Sequence, residues 1–157
     1  MSDPISTPDA PAPAPKATRL VASFDVTGWD PAEVPAALAG TPADWLGIVA
    51  MQKTYTAGIV GSSVAQFLSS GDGDNGGYLA VERITGTLED GRTGSFTVHH
   101  GALQHPAAVT AFGYIIPGSG TNDFADFAGD ALIVHNDEGP HFVFDLLPSE
   151  ASGDKIE

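Results

Sequence analysis

Cysteine is absent from the 157 residues, which excludes disulfides, thiolate metal sites and a cysteine nucleophile together. Positive charge is nearly as scarce: six Lys and Arg stand against twenty Asp and Glu, a formal net charge of −14. Phosphate backbones and anionic membrane surfaces both call for clustered cations, so neither nucleic acid nor a membrane is an expected partner. No apolar run approaches the roughly 18 residues of a membrane span. Met1 to Ala14 has neither the basic nor the apolar segment of a secretory signal, and the location expected from these absences is cytoplasmic. What is present is 42% hydrophobic residues with only 17% charged, enough apolar material to bury a core.

Five of the twelve prolines fall within the first 15 residues. Proline fixes φ and removes a donor, so residues 1–17 read as a flexible Pro/Ala-rich tail, and residues 18–157 as one domain. From Arg19 the pattern becomes short alternating runs, with Leu20, Ala22, Phe24 and Val26 on one face of the first. Further strand-like runs are Gly47–Thr56, Ile59–Leu68, Tyr78–Thr87, Ser95–Ala102, Ala107–Ile116, Ala131–His135 and His141–Leu147. Turn chemistry separates them, as in Asp72-Gly73-Asp74-Asn75-Gly76 and Glu89-Asp90-Gly91-Arg92. Asp30-Pro31-Ala32-Glu33 reads as the cap of one helical turn. Eight short strands with little helix predict an all-β sandwich or barrel.

Three stretches together are similar to the DUF3224 family, which has an allene-oxide-cyclase-like barrel. They are Tyr78-Leu79-Ala80-Val81-Glu82-Arg83-Ile84-Thr85-Gly86-Thr87-Leu88, Gly94-Ser95-Phe96-Thr97-Val98-His99-His100 and Ile116-Pro117-Gly118-Ser119-Gly120-Thr121. Lys53-Thr54-Tyr55 with Gly58 and Gly61 resembles the family's earlier strand pair. The resemblance implies an all-β, eight-stranded antiparallel barrel of the allene-oxide-cyclase-like type. It gives no reaction, because a fold does not imply a function.

Candidate chemistry is sparse. His99 and His100 are strand neighbours and point to opposite faces, so the five His do not suggest a metal site. No cofactor fingerprint is present, and no strand-turn-helix elbow exposes Ser62, Ser63, Ser69 or Ser70 as a nucleophile. Glu82 is the most informative ionisable residue. It alternates with Tyr78, Ala80 and Ile84, a mostly apolar set that would face a barrel interior. A buried carboxylate without compensation has a raised pKa, which suits a proton donor or a hydrogen-bond anchor. The bland alternative is an ion pair that ties strands together, or an outward Glu82 with Arg83 inside. A two-residue Asp90-Gly91 turn would set Glu82 opposite His99, and a three-residue Asp90-Gly91-Arg92 loop opposite His100. The second is preferred because it aligns Phe96 and Val98 with Tyr78 and Ile84.

Glu82, Tyr114 and His100 are therefore the candidate catalytic residues. Trp45, Tyr78, Phe96, Phe112, Phe142 and Phe144 are the candidate ligand-binding wall. Eight strands enclose room for packed side chains or for one small ligand. Three functions are open: a cofactor-free cyclase or isomerase that templates ring closure, [4+2] closure of a polyketide-like substrate included, which is what the resemblance to allene-oxide-cyclase-like barrels implies; a carrier of an apolar ligand; and a solid-core structural barrel. The partner expected is a hydrophobic small molecule, with a homo-oligomer as a further option.

Overall fold

Alternation of apolar and polar side chains makes each strand one-faced, and a closed barrel is the arrangement that buries every apolar face without leaving a sheet edge. The computed structural model describes residues 18–40, 45–72 and 74–148, so the expected tail over residues 1–17 lies outside the described residues. Eight strands follow in order: β1 (Thr18–Ala32), β2 (Gly47–Ala57), β3 (Ile59–Gly71), β4 (Gly76–Leu88), β5 (Thr93–His105), β6 (Ala108–Ile115), β7 (Gly129–Asn136) and β8 (Gly139–Leu146). Each pairs antiparallel with its chain neighbours, and β1 with β8 closes the barrel. Among the described residues there is no α-helix, only 3-10 turns at Ala36–Leu38 and Asn122–Phe124. No helix among them is long and apolar enough to cross a membrane.

The expected helical turn at Asp30–Glu33 is not formed. β1 runs on through Asp30, Pro31 and Ala32, which pair with Ala50, Val49 and Ile48 of β2. Beyond Ser23 this strand has no β8 partner, so Pro31 sits where pairing is one-sided and a missing N–H is tolerated.

The barrel differs between its two ends. At one end Ile59, Ile84, Phe96, Val98, Ile115, Phe142 and Phe144 fill the interior completely. The chain from Ile116 to Phe127 straps across this end. Pro117 and Gly118 (φ 82°) turn it, the Ile116 and Thr121 N–H groups donate to the Thr97 and Ser95 carbonyls of β5, and Phe124 and Phe127 plug the floor against Phe96. Arg83 points outward and clamps this strap through the Ser119 carbonyl at 2.7 Å. At the other end the barrel opens. Only two residue pairs, Tyr114 with Asp130 and Ile115 with Gly129, join β6 to β7, so the far half of β6 is held by β5 alone.

Candidate functional site: a buried carboxylate beneath an open mouth

Four adjacent strands aim polar side chains at one point inside this barrel. The pairing Ala65 with Glu82 and Lys53 with Ser63 brings β2, β3 and β4 into register, and Ala80 with His100 adds β5. Glu82 is fully buried, yet it accepts from Lys53 Nζ on Oε1 at 2.8 Å, and from Tyr55 Oη at 2.6 Å and Ser63 Oγ at 2.7 Å on Oε2. His100 Nε2 lies 2.9 Å from Oε1, and His100 Nδ1 lies 3.2 Å from the Tyr78 hydroxyl. The Lys53 ammonium also sits over the rings of Phe24 and Phe142, at 4.1 and 5.0 Å from their centroids.

These contacts decide the protonation pattern. Burial pushes the Glu82 carboxyl up, but the His100 hydrogen bond, the Lys53 charge and bond, and the Ser63 hydroxyl outweigh it and hold the pKa at about 2. The expectation of a raised pKa assumed no compensation; four donors supply it. The ammonium has one carboxylate and two ring faces, so burial dominates and Lys53 is lowered even though Glu82 pulls the other way. Burial, with the Glu82 charge adding, pushes the Tyr55 hydroxyl well up and Tyr78 to about 12. An ionised carboxylate only accepts, so His100 carries its proton on Nε2; in the neutral ring Nδ1 is then bare and accepts from the Tyr78 O–H. Tyr78, His100 and Glu82 thus form one continuous line of hydrogen bonds.

Tyr78 connects this line of hydrogen bonds to the open end. It lines a cavity of about 620 Å³ together with Phe67, Ser69, Ala102, Gln104, Ala111 and Ile133. Phe67 stacks on Tyr78 at 4.7 Å between centroids, and Trp29 tilts onto Phe67. Asp72 stands at the rim, its carboxyl held down by the Asn75 and Asp74 backbone N–H groups. No Lys or Arg is among the lining residues; apart from His135 and the Asp72 carboxylate at the rim, the walls are apolar or neutral.

The predicted residues divide cleanly. Glu82 and His100 face inward on the same side, as preferred, but Glu82 lies opposite Val98 and diagonal to His100. The hairpin loop is three residues long and starts one position earlier than expected: Leu88 N–H bonds the Arg92 carbonyl, leaving Glu89-Asp90-Gly91 as the loop with Gly91 at φ 91°. Tyr78 lines the cavity. Phe96, Phe142 and Phe144 are inside but wholly buried in the dry core.

Two interior placements need correction and a third holds in part. Tyr114 and Phe112 stand at outward positions of β6, each 45% exposed, though the Phe112 ring also borders the cavity. The inward positions of β6 are Val109, Ala111, Gly113 and Ile115, and at Gly113 β6 runs so close to β7 that a Cβ would meet the Ala131 carbonyl oxygen at 1.9 Å. The Phe112 ring instead covers Gly101 from outside, and Tyr114 reaches His99 at 3.5 Å. Trp45 precedes β2, is exposed, and donates its indole N–H to the Leu38 carbonyl at 2.8 Å.

Sequence reasoning missed Lys53 and Ser63 as site residues and Tyr55 as a carboxylate partner. The signal was there: Val49, Met51, Lys53 and Tyr55 share one parity in β2, and a lysine in an apolar stripe needs a buried anion. Among the described residues no group of three or more His, Asp or Glu converges to hold a metal ion.

A family model described as a protein of unknown function, DUF3224, matches residues 20–146 of this chain. A crystal structure of a DUF3224-family protein of unknown function from Shewanella oneidensis MR-1 is similar, with 26% identity and a TM-score of 0.70. The match covers 86% of this chain and 98% of that one. No curated protein matches the chain.

Proposed function

The chain belongs to the DUF3224 family, and from that premise we propose that its barrel mouth binds a neutral, mainly apolar small molecule and runs a cofactor-free isomerisation or cyclisation on it. The observation that carries this reading is the Tyr78 side chain, on the cavity wall at one end and hydrogen-bonded to His100 and thence Glu82 at the other. A substrate hydroxyl or enol donating to the Tyr78 oxygen gives its proton to that oxygen as the Tyr78 proton moves to His100 Nδ1. The imidazolium so formed is held by the ionised Glu82 carboxylate, and the reverse transfers return the proton to product. Positioned acid–base groups of this kind contribute roughly a hundredfold to ten-thousandfold in rate. The apolar walls supply the rest by folding a flexible substrate into near-attack geometry. The fold resemblance to allene oxide cyclases, which close rings inside a barrel, supports the same reading by analogy. A net charge of −14, the Asp72 carboxylate at the rim and the lack of Lys or Arg in the cavity favour a neutral substrate over an anionic one.

The test uses Prodan, a neutral naphthyl ketone whose emission shifts blue in apolar surroundings. The wild type binds it, Ala111→Trp fills the cavity and abolishes binding, and the protons α to the carbonyl exchange with deuterated solvent faster than in buffer. Tyr78→Phe keeps the binding within about tenfold, since one hydrogen bond is worth about 1 kcal/mol, but loses the exchange. Binding that survives Ala111→Trp unchanged refutes the cavity. Binding without accelerated exchange favours the second reading, a carrier, for which the fully partnered network is a strand tie; every buried side-chain polar atom among the described residues has a partner.

A further inference from the structure

We propose that the outer face of β3–β6 is the contact by which two copies of this chain form a dimer. Outward residues of these strands stand in rows fixed by the register. One row runs Leu68, Leu79, Gly101, Phe112, and the next Gln66, Val81, His99, Tyr114. Leu103 lies beyond the first, and Trp45 edges the same groove, which it lines with Leu68, Leu79, Leu103 and Phe112. No Asp, Glu, Lys or Arg occurs in either row, on a chain where 20 of 157 residues are acidic.

Size supports a stable contact. The exposed parts of Trp45, Leu68, Leu79, Leu103, Phe112 and Tyr114 amount to roughly 550 Å², against about 800 Å² per partner in a standard interface once its polar rim is counted. That stands at the upper end of the largest apolar patches on monomers, which are often functional. The absence of charge from both rows selects the occupant. A strongly acidic chain repels an anionic membrane. A second copy meets this uncharged face with an identical one, so no like charges are buried against each other, the self-complementary geometry of a two-fold interface. An independent observation points the same way. The far half of β6 pairs with β5 alone, and a two-stranded ribbon is marginal by itself. Its outward side carries Phe112, so a partner seated there supplies the packing that β7 does not.

Sedimentation velocity on the full chain, between roughly 1 and 100 μM, a span that brackets common homodimer affinities, decides the matter. The expected species is twice the 16.1 kDa monomer. Leu79→Glu or Phe112→Glu, checked for unchanged circular dichroism, raises the dissociation constant at least tenfold, because a carboxylate must then be buried without a partner. Leu103→Lys serves if either fails to fold. Val60→Glu, equally exposed but four rows away along β3, leaves the dimer intact. A monomer throughout the range overturns the proposal. So does a dimer indifferent to the face variants, or flotation of the protein with phosphatidylcholine vesicles lost in Leu79→Glu, which would assign the face to lipid.

Discussion

Removing one member of the Lys53–Glu82 pair strands the other in a buried site. Lys53→Met leaves the carboxylate with its hydroxyl and imidazole donors but no counter-ion, and Glu82→Gln leaves the ammonium between Phe24 and Phe142 facing a neutral amide. Breaking a buried pair from one side costs about 3–5 kcal/mol. The pKa depression gives a similar figure: a fall from 4.5 to about 2 corresponds to about 3 kcal/mol of stabilisation of the ionised carboxylate. For a chain of this size each kcal/mol lowers the melting temperature by about 3 °C, so either single variant melts roughly 10 °C lower. The double variant Lys53→Met/Glu82→Gln behaves differently. Its amide oxygen still accepts from Tyr55 and Ser63, its amide N–H₂ donates to His100 Nε2 in the other tautomer, and no charge is left buried. It is expected within about 1–2 kcal/mol of the wild type, far less than the sum of the singles. Urea denaturation followed by far-ultraviolet circular dichroism measures the cycle. Additive singles, or a single variant costing under 1 kcal/mol, would refute the account of the network as a charge-compensated unit.

Acid stability follows from the same group. Glu82 is depressed in the fold, so its contribution is complete above the unfolded value of 4.5 and is lost as pH falls through about 2; Glu82→Gln should show a flatter stability profile across that window. Lys53 also makes stability rise with pH, but at the alkaline end: its charged form is penalised in the fold, and the penalty is relieved as pH rises from its lowered value to 10.5. Gly61→Ala should cost about 2–3 kcal/mol by chemical denaturation, because its Cβ would stand 2.0 Å from the Thr85 carbonyl oxygen where β3 crosses β4. Gly91→Asn, at positive φ with open space around it, should cost under 1 kcal/mol.

The barrel was legible because period-two alternation and turn residues speak locally: apart from the far end of β1, which runs on to Ala32 where a helical turn was expected, the strands appeared within a few residues of their places, and parity put Glu82 and His100 on one face. What escaped was non-local. The loop frame around Asp90 depends on where a bulge forms, and one residue there shifts Glu82 from His100 to Val98. On β6 both faces carry apolar residues, so Phe112 and Tyr114 looked like core, whereas the inward parity belongs to Gly113, where β7 approaches closely. Lys53 lies 29 residues from Glu82, and no local pattern joins the two; only strand pairing does. The plug residues Phe124 and Phe127 lie in the strap between β6 and β7, where no periodicity marks them.

The proposed proton transfer from Tyr78 to His100 rests on which nitrogen of His100 holds the proton. Long-range ¹H–¹⁵N correlation on histidine-labelled protein, at a pH where the ring is neutral, reads this directly. The account predicts a protonated Nε2 facing Glu82 and a bare Nδ1 whose shift moves when Tyr78 is replaced by Phe. A proton on Nδ1, with Nε2 bare against the carboxylate, would contradict it.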